Sequence, residues 1–538
     1  MQLKLSILTF LFCVASLLNA QTNARPKLVV GIVVDQMSYD FLYRYWENYS
    51  DGGFKRLVKD GFSCENHHYN YIPTYTAPGH ASIYTGSVPA VHGIISNDWY
   101  DKQSGAFMYC SGDSSVKGVG STLPAGKMSP VNMLTTSICD ELKIASNNKS
   151  KVIGISLKDR GAILPAGHTA NAAYWFDGNT NAWISSTYYM QALPDWVQTF
   201  NGKHLANDYI SKDWNLLLPE INYTNSTVDN VEWERRDEGE TTSVFPHKLS
   251  NAKSMEAIKG TPFGNTLTTD FALEIIVQEK LGFGNSTTDM LCVSYSSTDY
   301  VGHYYGPYAM ETEDTYIRLD KDLARLFEFL DSKIGDGNYL VFLTADHGVA
   351  PAAGHMQSLK VPSGLISSSA LQTQIDSVMK INFPVDNLIA NFSNDQIFLN
   401  HKKLAENNIT VAMIYDVLFN YLITVDGVSN VINLSNIANA KLPDIYKTMV
   451  VNGVNAKRSG DIQILYESNW MESYKYGSTH GSMYNYDTQV PLLWYGWKIP
   501  NGKTWRKTEV TDIAPTLAAM LRIKAPSGCI GRVIDEMK

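Results

Sequence analysis

Four short apolar runs in this chain each end on side chains with acid–base or ligand chemistry, and that recurrence limits the fold more than any other feature. Leu28 to Val34 runs into Asp35, and Val152 to Ser156 leads to Lys158 and Arg160. Leu291 to Tyr295 leads to Asp299 and His303, and Tyr339 to Thr344 leads to Asp346 and His347. Apolar, β-branched runs of this length predict strands buried on both faces, the condition of a parallel sheet covered by helices. Helical spacing separates them, as in Glu313 to Leu330, where Ile317, Leu319, Leu323, Leu326, Phe327 and Leu330 recur. Strand alternating with helix predicts an α/β fold: a doubly wound, mostly parallel sheet flanked by helices. Ligands in such folds sit beyond the carboxyl ends of the strands, where these polar residues fall.

Two stretches break the rhythm. Residues from about 165 to 265 are rich in Asn, Trp, Tyr and Thr; residues from about 356 to 470 add strand-like Gln396 to Leu399 and helix-like Ala412 to Leu422. Both are expected to be insertions capping one catalytic domain of residues 21–538, large enough for a single extended core.

The first twenty residues read as a cleaved export signal: Lys4, apolar Leu5 to Leu18, then Ala20 ahead of Gln21-Thr22-Asn23. An apolar run of about fourteen residues is shorter than the roughly twenty that span a bilayer, so stable membrane insertion is not expected. Removing Lys4 takes the formal charge from -9 to -10. That acidity argues against nucleic acid as a partner, and an anionic substrate must then be drawn by local positive charge. Five cysteines remain after export, Cys64, Cys110, Cys139, Cys292 and Cys529, with no CxxC pair. One or two disulfides are allowed, a zinc ribbon is not.

Asp35, Thr76, Asp299, His303, Asp346, His347 and His480 are candidate metal ligands. Asp299 and His303 are four apart, so one helical turn puts them on the same face. Mixed carboxylate and imidazole suits zinc better than manganese or iron. Singly, an Asp at a strand end is more often a helix cap, and His347 alone could be a hydrogen-bonded core residue. Thr76 stands in Tyr75-Thr76-Ala77-Pro78-Gly79-His80. Pro78 suits a first helical turn, where backbone N–H groups favour an anion. A bound divalent cation can lower the pKa of a Thr hydroxyl enough to make it a nucleophile. The competing reading is a plain N-cap.

Together these residues resemble the alkaline phosphatase superfamily, in particular the PafA-type secreted alkaline phosphatases, from Asp35 to His480. The resemblance implies two zinc ions: Asp35, Asp346, His347 and the Thr76 oxygen would bind one, and Asp299, His303 and His480 the other. It implies Thr76 as nucleophile, passing through a phosphothreonine, and Asn97, Lys158 and Arg160 as phosphate contacts. The expected activity is hydrolysis of small-molecule phosphate monoesters by a periplasmic or otherwise secreted protein, as a monomer or an oligomer of unspecified size. Lys158 and Arg160 complement a dianionic phosphoryl group, favouring monoesters over the diesters of nucleotide pyrophosphatase/phosphodiesterase relatives. A sulfatase would need Cys or Ser in C/S-x-P-x-R, which Thr76-Ala77-Pro78-Gly79-His80 lacks. The alternatives are a phosphodiesterase of the same superfamily and a noncatalytic exported binding protein.

Overall fold

The computed structural model describes residues 25–284, 287–472 and 476–537, so the expected leader lies outside the described residues. Ten strands form the main sheet. They are β1 (Leu28–Val34), β2 (Phe62–Cys64), β3 (Gly118–Val119), β4 (Val152–Ser156), β5 (Ala172–Asp177), β6 (Ala182–Ser186), β7 (Asp289–Tyr295), β8 (Tyr339–Thr344), β9 (Leu492–Gly496) and β10 (Gly502–Thr504). Across the sheet they run β10-β2-β9-β8-β1-β7-β4-β5-β6-β3. The five from β8 to β5 are parallel. β9 pairs antiparallel with β8 and β2, and β6 antiparallel with β5. The expected parallel sheet is thus the centre of a mixed one, because an antiparallel neighbour needs no helical crossover and can be added at either flank.

Six helices matter below: α1 (Thr76–Thr85), α2 (Asp159–Ala166), α3 (Pro262–Gln278), α4 (Ser297–Tyr305), α5 (Met310–Lys333) and α6 (Ile513–Leu521). Every residue of β1 is buried. Its alternate side chains feed different cores: Leu28, Val30, Ile32 and Val34 pack with Phe271 and Ile275 of α3 and Leu323 and Phe327 of α5. Val29 and Val33 meet Ile83 and Tyr84 of α1 and Leu517 of α6. Each such aliphatic side chain contributes ~1.5–3 kcal/mol on burial. Gly31 faces the second core because a Cβ there would collide with the Tyr84 hydroxyl and the Phe342 ring.

The first insertion is shorter than expected from composition. Residues 172–186 are β5 and β6 of the main sheet, followed by the short helices Asp195–Asn201 and Leu205–Ile210 and then by turns and 3-10 turns up to α3. Their aromatics are core, not cap: Trp183 stacks on Phe271 with ring centroids 4.3 Å apart. The second region folds into a four-stranded antiparallel sheet of Ile389–Ser393, Gln396–Leu399, Ile462–Tyr466 and Val428–Asn433. It packs on helices Ser368–Asn382 and Val411–Leu422 around its own core, which includes Ile375, Ile397, Leu418 and Ile464. Its tightest hairpin turns at Asn394 and Asp395, both left-handed (φ 53° and 57°), as a two-residue loop matching strand twist requires. That turn reaches the main domain, where Ser96 Oγ donates to Asn394 Oδ1 at 2.9 Å. The five cysteines outside the leader are free thiols.

Candidate active site

The carboxyl ends of β8, β1, β7 and β4, four adjacent strands, deliver most of the candidate residues to one place. Asp35 follows β1, Asp299 lies on α4 just after β7, Asp346 and His347 follow β8, and Lys158 precedes α2 after β4. Asp35, Asp346 and His347 are fully buried, and Asp299 nearly so. Thr76 opens α1 from the side of the loop, and Tyr75 occupies the N-cap position. Thr76 is the first residue inside the helix rather than its N-cap, and its Oγ1 lies 3.4 Å from His347 Nε2.

The three histidines share one device. His347 Nδ1 donates to Gly348 O at 2.9 Å, His303 Nδ1 to Ser478 O at 2.8 Å, and His480 Nδ1 to Thr74 O at 2.7 Å. A ring nitrogen bonded to a carbonyl must carry the hydrogen, so each Nε2 is left with a lone pair whenever the ring is neutral. Those Nε2 atoms face carboxylates: His347 lies 3.5 Å from Asp35 Oδ1, and His303 and His480 lie 3.2 and 3.6 Å from Asp299 Oδ1. Lone pairs facing carboxylates call for a cation between them. Burial, with His347 and His303 alongside, pushes the pKa of His480 well below the usual range. Burial likewise lowers His347, although Asp346 and Asp299 oppose the shift.

Lys158 Nζ bridges two of the acids, 2.7 Å from Asp35 Oδ2 and 2.6 Å from Asp299 Oδ2. Burial opposes its charge, but Asp299 and Asp35 outweigh that and raise its pKa. One ammonium does not satisfy the set. Asp35 Oδ1 and Asp346 Oδ2 are buried without a hydrogen-bond partner, and burial plus repulsion from Asp299 and Asp346 raises the pKa of Asp35. Two donor triplets have atoms within 4.8 Å of one another: Asp299, His303 and His480, and Asp35, Asp299 and His347. Carboxylates and imidazoles at this spacing could hold a divalent metal ion. The first triplet coincides with an expected ligand set. In the second, Asp299 stands where Asp346 was expected, while Asp346 accepts from Gln36 N at 3.1 Å and faces His80 Nδ1 at 3.3 Å.

The remaining candidates, Asn97 and Arg160, are each held by a hydrogen bond. Asn97 Oδ1 accepts from Ala77 N at 2.9 Å, which leaves its amide nitrogen as the available donor. Arg160 Nη1 donates to Tyr109 Oη at 3.0 Å, and that hydroxyl donates to Asp159 Oδ1 at 2.8 Å. A cleft of ≈ 240 Å³ opens beside Asn97, which lines it together with Tyr75, His303, Asp395, Trp470 and His480 among others. Sequence reasoning missed Gln36, His80 and Tyr109. Gln36 Nε2 donates to Asp299 Oδ1 at 2.9 Å, and His80 Nδ1 donates to Thr76 O at 2.8 Å. The spacing of four between Thr76 and His80 was a usable signal; for Gln36 and Tyr109 there was none.

Known proteins resemble this chain over nearly its whole length. Residues 29–490 match the family described as type I phosphodiesterase / nucleotide pyrophosphatase. The chain is 48% identical to the alkaline phosphatase PhoV of Synechococcus elongatus, over 96% of this chain and 94% of that protein. It superposes on the crystal structure of wild-type alkaline phosphatase PafA with a TM-score of 0.93 and 45% identity, covering 95% of this chain and 99% of the other. A crystal structure of PafA substituted at one threonine, one asparagine, one lysine and one arginine is equally near, with a TM-score of 0.92, 45% identity and the same coverage.

Proposed function

The chain belongs to the type I phosphodiesterase / nucleotide pyrophosphatase family, and from that premise we propose that it acts as an alkaline phosphatase, hydrolysing phosphate monoesters to inorganic phosphate and an alcohol. One observation carries the proposal: three imidazoles turned by backbone carbonyls toward buried carboxylates, with the Thr76 hydroxyl 3.4 Å from one of them.

Asp35, Asp346, His347 and the Thr76 oxygen would hold one zinc, and Asp299, His303 and His480 the other; Asp299, near both sets, is a further ligand open to the first. Held there, such ions would favour the alkoxide form of Thr76 and would neutralise charge on the phosphoryl oxygens. Thr76 Oγ forms a bond to phosphorus as the bond from phosphorus to the leaving oxygen breaks. The alcohol departs and Thr76 carries the phosphoryl group. Water then adds to phosphorus, the bond to Oγ breaks, and Thr76 regains its proton. Such transfers need positioning and charge more than covalent help. Asn97 supplies its amide N–H, Arg160 a planar fork held by Tyr109, and Lys158 a point charge at the carboxylates.

The lysine and arginine favour a dianionic monoester, whose extra charged oxygen a diester replaces with an organic group. The family description names phosphodiesterases, so diester hydrolysis is the second reading. Rates on an aryl phosphate and on a bis-aryl phosphate, for the wild type and Arg160→Ala, separate the two. A monoester rate that falls with the substitution while the diester rate holds supports the proposal; a faster diester rate in the wild type overturns it.

We further infer export, from Lys4, the apolar run to Leu18 and Ala20. Among the described residues no helix is long and apolar enough to cross a membrane. Residues 21–538 are read as one catalytic domain, the cleft roofed by the inserted sheet of residues 389–466.

A further inference from the structure

The irregular segment after β6 carries a second concentration of buried acid. Asp229, Glu234 and Glu311 each place a carboxylate oxygen within 4.8 Å of the other two. Glu234 is 1% exposed and Glu311, in the first turn of α5, 0%. Their surroundings satisfy them only in part. Glu234 Oε2 accepts from Val231 N at 3.2 Å and Ser243 Oγ at 3.0 Å, and Asp229 Oδ2 accepts from Phe245 N at 3.0 Å. Glu311 Oε1 pairs with His247 Nε2 at 3.1 Å. Glu311 Oε2 and Asp229 Oδ1, however, are buried with no hydrogen-bond partner.

Two nearby bases are already engaged. His247 lies between Glu311 and Glu240, 3.0 Å from the latter, and Arg235 faces Asp237 at 3.5 Å. Burial and the repulsion between them push Glu234 up to about 8, and burial pushes Glu311 up to about 7 despite His247. Three carboxylates converging in a low-dielectric pocket, two of them with an idle oxygen, either share protons or share a cation.

We propose that Asp229, Glu234 and Glu311 form a binding site for a hard divalent cation of the calcium class, separate from the catalytic cluster. An all-oxygen donor set selects calcium or magnesium over zinc, and calcium tolerates an irregular, partly bidentate set where magnesium demands an octahedron. The ion fastens the 229–247 loop to the start of α5. That loop is also bonded to the residues flanking two catalytic-cluster histidines: Arg235 N donates to Tyr304 O at 2.9 Å, and Gly477 N donates to Trp233 O. Nothing in this assignment rests on the role of Thr76, so a Thr76→Val chain binds the ion equally well.

The test uses the zinc-loaded full chain, equilibrated with calcium chloride and assayed for bound calcium and for the thermal unfolding midpoint. One calcium per chain is expected beyond the zinc, with a midpoint rise of ~3 °C at about a hundredfold excess over Kd. Glu234→Gln and the half-buried Asp229→Asn should both lose the bound calcium and the rise while keeping their zinc. The proposal is overturned if the wild type takes up no calcium at millimolar concentration, the result expected of shared protons. It is equally overturned if both variants keep the ion.

Discussion

The rings of His347 and His480 stack face to face, with centroids 3.4 Å apart and planes 12° apart. Each is fixed by a backbone carbonyl at Nδ1, so neither can turn away from the other. Two buried imidazoles this close cannot both carry charge, and neutral imidazole is the form that binds a metal. A chelator should therefore abolish hydrolysis of an aryl phosphate, and added zinc should restore it. Metal analysis of the reloaded protein should find two zinc ions per chain, falling to one in His480→Ala.

Tyr75, not Thr76, takes the N-cap position of α1, and the Thr76 hydroxyl is turned toward His347 Nε2 at 3.4 Å. Thr76→Val should lower turnover by ~10³-fold or more while preserving the fold, because a nucleophile acting within a constellation takes most of the rate with it. Acid quench of the wild type with radiolabelled substrate should trap phosphate on the protein; the same quench of the variant should trap none.

Tyr109 holds Arg160 through a single hydrogen bond and is itself held by Asp159. Removing the hydroxyl leaves the guanidinium charge but loosens its aim. Tyr109→Phe should weaken kcat/KM for monoesters about fivefold, the worth of one such bond. Arg160→Ala should cost ~10²-fold, the scale of a lost charge-stabilising donor. Steady-state kinetics on both variants checks the ranking.

Asp395 lines the cleft at the tip of the inserted hairpin, and its carboxylate accepts from Tyr466 Oη at 2.6 Å. Burial pushes its pKa up from the ordinary carboxylate range to about 7. A carboxyl raised in the fold favours the protonated form, so its contribution is complete below the unfolded pKa and is lost as pH rises through about 7. Wild-type stability should thus fall relative to Asp395→Asn between about pH 4 and 7. Denaturant midpoints at both ends of that window test it; a constant difference refutes the assignment.

Phe271 is fully buried and touches Trp183, Tyr174, Trp196 and Phe200. Phe271→Ala should destabilise the main domain by ~3–5 kcal/mol, measured by chemical denaturation.

Much of this was legible in the sequence because strand ends and one-turn spacings are local. β1, β4, β7 and β8 announced themselves as apolar runs, and Asp299 with His303 as a helical pair. What was illegible depended on distant neighbours. Lys158 could be placed after its strand, but its pairing with both Asp35 and Asp299 depends on strand order, which no local pattern encodes. Gln36 reaches Asp299 across 263 positions of chain, and Tyr109 meets Arg160 across 51. β5 and β6 were hidden because Trp175, Phe176 and Trp183 sit among Asn and Gly turns, a composition that also suits a surface cap. The direction of the antiparallel flanks left no signature, because an apolar run reads the same either way along a sheet.

Neighbouring strands in a sheet keep a nearly constant pitch of ~4.8 Å, and β8, β1, β7 and β4 are consecutive. The sheet therefore works as a ruler: backbone ladders fix the spacing of the strand ends from which Asp346, Asp35, Asp299 and Lys158 are presented. Loops and the inserted sheet can be redrawn to admit other leaving groups while the gauge of the reaction centre stays the same. Altering that gauge would mean breaking backbone ladders between strands that are buried along their whole length.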